Sequence, residues 1–243
     1  MPWNVTPARR DEPELMDAPG PPEAEVADAY DTLARVNRQL GNLHTVRREL
    51  RRFLDEDEPK ACATWLDVGS GSGDIPIGVR DDRQTRSWPI SGLALDRDPT
   101  AVALARRRGL AVARGDALAL PFADRSVDLV SAIKFAHHFS GPSLARLMAE
   151  MARVARRRVL IVDIRRHWLA YCGFVAWSRV FTRNRLVRHD GPLSVLRGFT
   201  PAELAALGEA VSTFSWSVRG SAGFQLTLAG RRIASGPGEG PDV

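Results

Sequence analysis

The stretch LDVGSGSGDIP, Leu66–Pro76, carries three glycines at alternate positions, Gly69, Gly71 and Gly73, behind an apolar run and ahead of an acidic residue. An apolar run ending in glycines reads as a buried strand turning into a helix. Glycines there let a ligand approach the backbone where a Cβ would collide. A phosphate-transfer loop would need G-x-x-x-x-G-K-[ST], and no lysine follows. A dinucleotide fingerprint, G-x-G-x-x-G, needs glycine where Asp74 stands. A carboxylate at that helix N-terminus repels a pyrophosphate. It tolerates a cation or a zwitterion.

Working outward, strand and helix signals alternate. CATWLDVG is followed by a short helix. Ile90–Asp96 is a second strand, and Asp98-Pro99 supplies a cap and a first-turn proline. LAVARGD, SVDLVSAI and RRVLIVDI read as the third to fifth strands, with a helix from near Pro142 to Ala155 between the last two. Such alternation predicts a parallel sheet covered on both faces. Thr200-Pro201-Ala202-Glu203 forms a capping box. Beyond it, two alternating segments around Phe214, Trp216 and Val218 and around Phe224, Leu226 and Leu228 predict an antiparallel hairpin through RGSAG. Upstream, apolar residues from Glu23 to Leu54 recur at helical spacing, and Gly41-Asn42 divides them into two helices.

The glycine turn belongs to a larger set. Asp96 closes the second strand, and GDALALPFADRSVDLVSA, Gly115–Ala132, carries a Gly-Asp after the third strand and a P-F-A-D-x-S-x-D run. Together these resemble the core of the class I S-adenosylmethionine-dependent methyltransferases over residues 60 to about 165. The resemblance implies a doubly wound, seven-stranded Rossmann-like α/β sheet, mostly parallel with an antiparallel last strand. It implies S-adenosylmethionine as cofactor. Its contacts would come from Asp67, Gly69, Ser70, Gly71 and Asp74 at the turn, and from Asp96 and Arg97 at the ribose. Asp116 and Ala117 would meet the adenine. Lys134 is grouped with these residues by position, without an assigned role.

For the acceptor, AIKFAHHFSGP lacks the D/N-P-P-Y/F loop of adenine amino-methylases and carries His137-His138. Such a pair resembles small-molecule enzymes akin to quinone-biosynthesis and natural-product O-methyltransferases. Histidine suits deprotonation of a phenol near neutral pH. Asp163, at the end of the fifth strand, falls on the same sheet edge and can orient one histidine. His189, in RHDGPLSV read as a polar loop, is an alternative base. The expected reaction is methyl transfer to a hydroxyl of a phenolic or polyketide-like acceptor. C-methylation of an activated aromatic carbon, RNA or protein methylation, and a noncatalytic cofactor-binding regulator remain as alternatives.

The expected domain plan has a disordered or loosely docked tail over 1–22, rich in proline and acids. Helices over 23–58 close the active site, with Tyr30 and Asn37 near the pocket. The cofactor-binding domain spans 59–234, with an acceptor-site insertion at about 165–199, and a disordered tail covers 235–243. The insertion's apolar helix, Trp168–Phe181, needs cover. It reads as a lid or as a dimer contact, which leaves a homodimer open.

The 243 residues carry a formal charge of +5 and a pI near 10.0, nearly all from arginine, since Lys60 and Lys134 are the only lysines. Arginine runs sit where helices hand over to strands, which favours helix-end solvation over a nucleic-acid patch. Cys62 and Cys172 are isolated, which speaks against a disulfide framework or structural zinc, and no motif requires a metal. The N-terminus has no apolar signal core, and the longest apolar run is too short to span a bilayer. A cytoplasmic location is therefore expected.

Overall fold

The computed structural model describes residues 6–18, 20–59 and 61–234. Seven strands, β1 (Ala63–Val68), β2 (Ile90–Asp96), β3 (Ala111–Arg114), β4 (Val127–Ile133), β5 (Ala155–Ile164), β6 (Phe214–Ser221) and β7 (Gln225–Arg232), form one sheet in the order β3-β2-β1-β4-β5-β7-β6. β1 to β5 pair in parallel, and β7 runs antiparallel to both β5 and β6. This is the expected fold class.

Period-2 alternation sends neighbouring side chains to opposite faces. Leu66, Val68, Val130, Ala132 and Ile161 pack with Leu147, Met148 and Met151 of α5 (Gly141–Val154). Trp65, Leu129, Ile133, Leu160 and Val162 pack on the other face, with Val46, Leu50 and Phe53 of α2 (Asn42–Asp57) and Ile75 and Val79 of α3 (Asp74–Asp81). α1 (Glu23–Gln39) precedes α2 at the predicted break, where Gly41 adopts φ 76°. Asp98 caps α4 (Pro99–Arg107) by accepting from the Ala101 amide. Thr200 and Glu203 close their reciprocal box at α8 (Pro201–Glu209). The arginine runs are ion-paired: Arg108 with Asp31, Arg156 with Asp128, and Arg158 with Asp57.

The structure revises two expectations. Residues 6–18 form a strap docked across the C-terminal edge of the parallel strands, where a disordered or loosely docked tail was expected. Its backbone amides at Leu15 and Met16 donate to Asp190 at 2.8 and 2.9 Å. Arg9 donates to the carbonyls of Arg197 and Phe139, and Arg166 donates to that of Pro7. Composition signalled low hydrophobicity, but these arginines and Asp190, distant in sequence, supply the anchoring. Residues 1–5 and the expected tail at 235–243 lie outside the described residues.

The second correction concerns RHDGPLSV. It lies within α7 (Arg185–Arg197), not in a loop. The Asn184 side chain accepts from the Val187 amide and starts the helix. Pro192 sits inside it. Gly191 lets the Phe174 ring of α6 (Trp168–Phe181) lie against the helix where any Cβ would collide. α6 itself is only partly covered. Phe174 and Trp177 pack toward Val26 and Ala29 of α1 and Leu186 and Val187 of α7, whereas Leu169, Val180 and Phe181 remain exposed.

Candidate active site

The glycine turn, the ends of β2, β4 and β5, and the strap meet around one cavity of about 1200 Å³. At one end is the turn. Gly69, Gly71 and Gly73 all have positive φ, the region that favours glycine. A Cβ on Gly69 would collide with the Phe135 ring. Asp67 is buried beneath the turn and accepts from the Ser70 hydroxyl at 2.8 Å and from the Ser131 hydroxyl at 2.6 Å, while Trp65 Nε1 donates to Ser131. Burial pushes the Asp67 carboxyl up to about 7 against those two hydrogen bonds. Asp74 starts α3 and accepts from Asn37 at 3.0 Å. Burial raises Asp74 too.

Asp96 is held by two backbone amides, Gly71 to Oδ2 at 2.7 Å and Asp98 to Oδ1 at 2.9 Å. Burial raises its pKa, and those bonds oppose the shift. Each oxygen keeps capacity for a further donor. Arg97, Asp116, Ala117 and Lys134 line the same cavity, as do Tyr30 and Asn37. Asp116 Oδ1 accepts from the Leu118 amide, which shapes that turn. Lys134 adopts φ 55° and its amide donates to Val162. Burial lowers the Lys134 amine to about 8, with Asp163 opposing.

At the other end are the histidines, in a 3-10 turn at Ala136–His138. His137 is 3% exposed. Its Nδ1 lies 2.7 Å from Asp163 Oδ1, and its amide donates to Asp163 Oδ2. Burial alone would raise Asp163. The charge and hydrogen bond of His137 outweigh it and hold the carboxyl below its usual range. His138 Nδ1 lies 2.9 Å from Asp17 Oδ2. Burial lowers His138, but the Asp17 bond and nearby carboxylates win and raise it. Arg197 donates to the carbonyls of both histidines and so fixes their turn to α7. Glu14 of the strap faces both rings.

His189 is not part of this arrangement. Its side chain is 52% exposed, is bonded to Asp190, and lies outside the cavity lining. The loop reading put it near the acceptor, but helical geometry turns it away and turns Asp190 inward. Conversely, Glu14 and Asp17 escaped the sequence reading. They sit in a Pro-rich acidic stretch, and only the neighbouring Leu15-Met16 hinted that it docks. α6 contributes Leu169, Phe174 and Trp177 to the wall.

A strand-end carboxylate facing a glycine turn, with five parallel strands and an antiparallel hairpin, defines the class I S-adenosylmethionine-dependent methyltransferase fold. Residues 66–162 match the family described as a methyltransferase domain. It is 34% identical over 105 residues to a demethylmenaquinone methyltransferase of Roseiflexus sp. (strain RS-1), covering 40% of each chain. It is 33% identical over 113 residues to a malonyl-[acyl-carrier protein] O-methyltransferase of Xylella fastidiosa, covering 44% of this chain and 35% of that one. These matches therefore span less than half of each relative's length. Among solved structures, a SAM-dependent methyltransferase from Aquifex aeolicus superposes with TM-score 0.58 at 18% identity, covering 85% of this chain and 98% of the other.

S-adenosylmethionine, the cofactor of this class, fits the residues present. The turn admits close approach, Asp96 is pre-oriented by two amides, and the Asp74 and Asp96 carboxyls line that end, which suits a cationic ligand. A phosphate would meet the opposite field.

Proposed function

We propose that the protein transfers a methyl group from S-adenosylmethionine to a hydroxyl of a phenolic or polyketide-like small molecule. One observation carries this reading. A single cavity joins the Asp96 end to the buried His137, which is paired with Asp163, and α6 lends it the apolar side chains Leu169, Phe174 and Trp177. The relatives' names add a quinone-type acceptor in one case and O-methylation in the other.

When bound, S-adenosylmethionine supplies a methyl already activated on a sulfonium. This chain's residues bind, orient and exclude water. Asp96 accepts the ribose hydroxyls, a charge-assisted pair. Asp163 accepts a hydrogen bond from His137 Nδ1–H, which fixes the tautomer with a free lone pair on Nε2 to receive the acceptor's hydroxyl proton. With the cofactor bound, an O–CH3 bond would form as the S–CH3 bond breaks, with the electron pair left on sulfur. The strap and α6 cover this end against solvent, so alignment supplies most of the acceleration.

The test is a product assay with a panel of phenols and labelled methyl donor, paired with calorimetry. NMR should find a methoxyl; a ring-carbon methyl would convert the reading to C-methylation. Asp96→Ala should weaken cofactor binding at least about 10-fold, since each lost charged hydrogen bond is worth about 1.5–3 kcal/mol. His137→Ala should lower turnover by about 10²- to 10⁴-fold with cofactor binding retained. Wild-type protein that binds no cofactor would end the proposal.

A further inference from the structure

The strap delivers a carboxylate to two imidazoles that are already oriented. His137 Nδ1 is directed at Asp163 Oδ1 at 2.7 Å, and His138 Nδ1 at Asp17 Oδ2 at 2.9 Å. With both Nδ1 protons engaged, each Nε2 retains a lone pair. Both Nε2 atoms face one carboxylate, His137 at 3.7 Å from Glu14 Oε1 and His138 at 3.8 Å from Oε2. These separations are too long for hydrogen bonds. Donors sharing one tetrahedral cation at about 2.1 Å stand about 3.4 Å apart. The three donor atoms lie within 4.8 Å of one another. Glu14 is itself 5% exposed, and the Ser194 hydroxyl lies 2.7 Å from its Oε1.

We propose that Glu14, His137 and His138 form a divalent transition-metal site of the zinc or iron class at the acceptor end of the cavity. Two imidazoles and one carboxylate are a donor set that leaves coordination positions open. Asp163 and Asp17 hold the second ring nitrogens, the arrangement that fixes tautomer and orientation around metal-ligating histidines. Glu14 lies far in sequence from the adjacent pair His137-His138, and no short spacing motif joins it to them. The use of the site rests on the methyl-transfer reading. An acceptor hydroxyl in an open position sheds its proton to solvent more readily. His137 then acts as a ligand instead of a free base. The site itself rests only on the donor geometry.

The full chain, stripped with chelator and dialysed, is titrated with Co²⁺ and followed by its visible absorption, then with Zn²⁺ by competition. One cobalt per chain is expected. Glu14→Gln and His138→Ala should abolish the stoichiometric absorption, and Asp17→Asn should weaken binding about 10- to 100-fold. S-adenosylmethionine calorimetry on each variant verifies that the fold persists. No stoichiometric cobalt binding by wild type, or equal binding by wild type, Glu14→Gln and His138→Ala, overturns the site. Full methyl transfer in chelator by a protein that binds no cobalt also overturns it and leaves His137 as the base. Cobalt binding as expected without methyl transfer to any acceptor supports the site and removes the methyl-transfer reading instead.

Discussion

Asp67 is a carboxyl whose surroundings oppose its charge. It lies at the end of a central strand, almost solvent-free, with two hydroxyls as its hydrogen-bond partners. Burial raises it to about 7 from 3.8. Folding therefore favours the protonated form. That contribution is fully present below about pH 4 and is lost as pH rises through about 7. Between pH 5 and 8 the ionising carboxyl should cost the unliganded protein about 2–3 kcal/mol. Asp67→Asn retains the neutral shape and should escape the loss. Urea unfolding of both proteins across that range gives the check: their stability difference should change by that amount, and a constant difference would refute the assignment. The position of Asp67 was legible because an apolar run ending in D-x-G-x-G admits one register. Its proton affinity was not, since it depends on Ser131 from β4 and on the depth of the sheet. His137 shows the same division. Its place after β4 followed from alternation, and Asp163 was expected to orient one histidine of the pair; which one it holds depends on β4 and β5 being neighbours with Ile133 beside Val162.

The strap and α7 are the elements that composition alone misplaced. Proline and acids over residues 1–22 signal disorder when read locally, and Asp-Gly-Pro signals a loop. Both signals are overridden by one buried carboxylate. Asp190 is 4% exposed and accepts from the amides of Leu15 and Met16, while the Arg197 side chain donates to the Glu12 carbonyl from the same helix. Hydrogen bonds to a charged group contribute about 1.5–3 kcal/mol each. Asp190→Ala removes the acceptor and leaves two backbone donors to find water, so the strap should open far more often. Proteolysis follows the population of the open form. Trypsin should cut at Arg9 or Arg10 at least about 10-fold faster in Asp190→Ala, with Asp190→Asn between the variant and wild type. Unchanged cleavage would show that Arg9, Arg166 and Arg197 hold the strap without Asp190. By contrast, the Thr200 box, the Asp98 cap and the Gly41 break were legible, because each is completed within four residues.

At the scale of the molecule, two hydrophobic clusters sandwich the sheet, and a third joins α1, α6, α7 and the strap through Val26, Ala29, Leu186, Val187, Leu15 and Phe174. The third cluster is small and lies above the strand ends. The exposed face of α6, with Phe181 at 62%, adds little burial to hold it. Cooperative units with few buried apolar contacts open at lower free energy than the core. The strap, α1, α6 and α7 should therefore exchange amide hydrogens together, ahead of β1, β4 and β5. Both parts line the same cavity, the cap through Tyr30, Asn37 and Phe174 and the sheet edge through Gly71 and Asp96. A ligand held between them binds only the closed form. At about 100 times its Kd, such a ligand stabilises that form by about 2.7 kcal/mol, which slows opening-limited exchange about 100-fold. Hydrogen-exchange mass spectrometry with saturating S-adenosylmethionine should show this slowing in α1 and around Tyr30, with β5 unchanged. Slowing confined to the glycine turn would mean that the cofactor is held by the sheet edge alone and that the cap answers only to the acceptor.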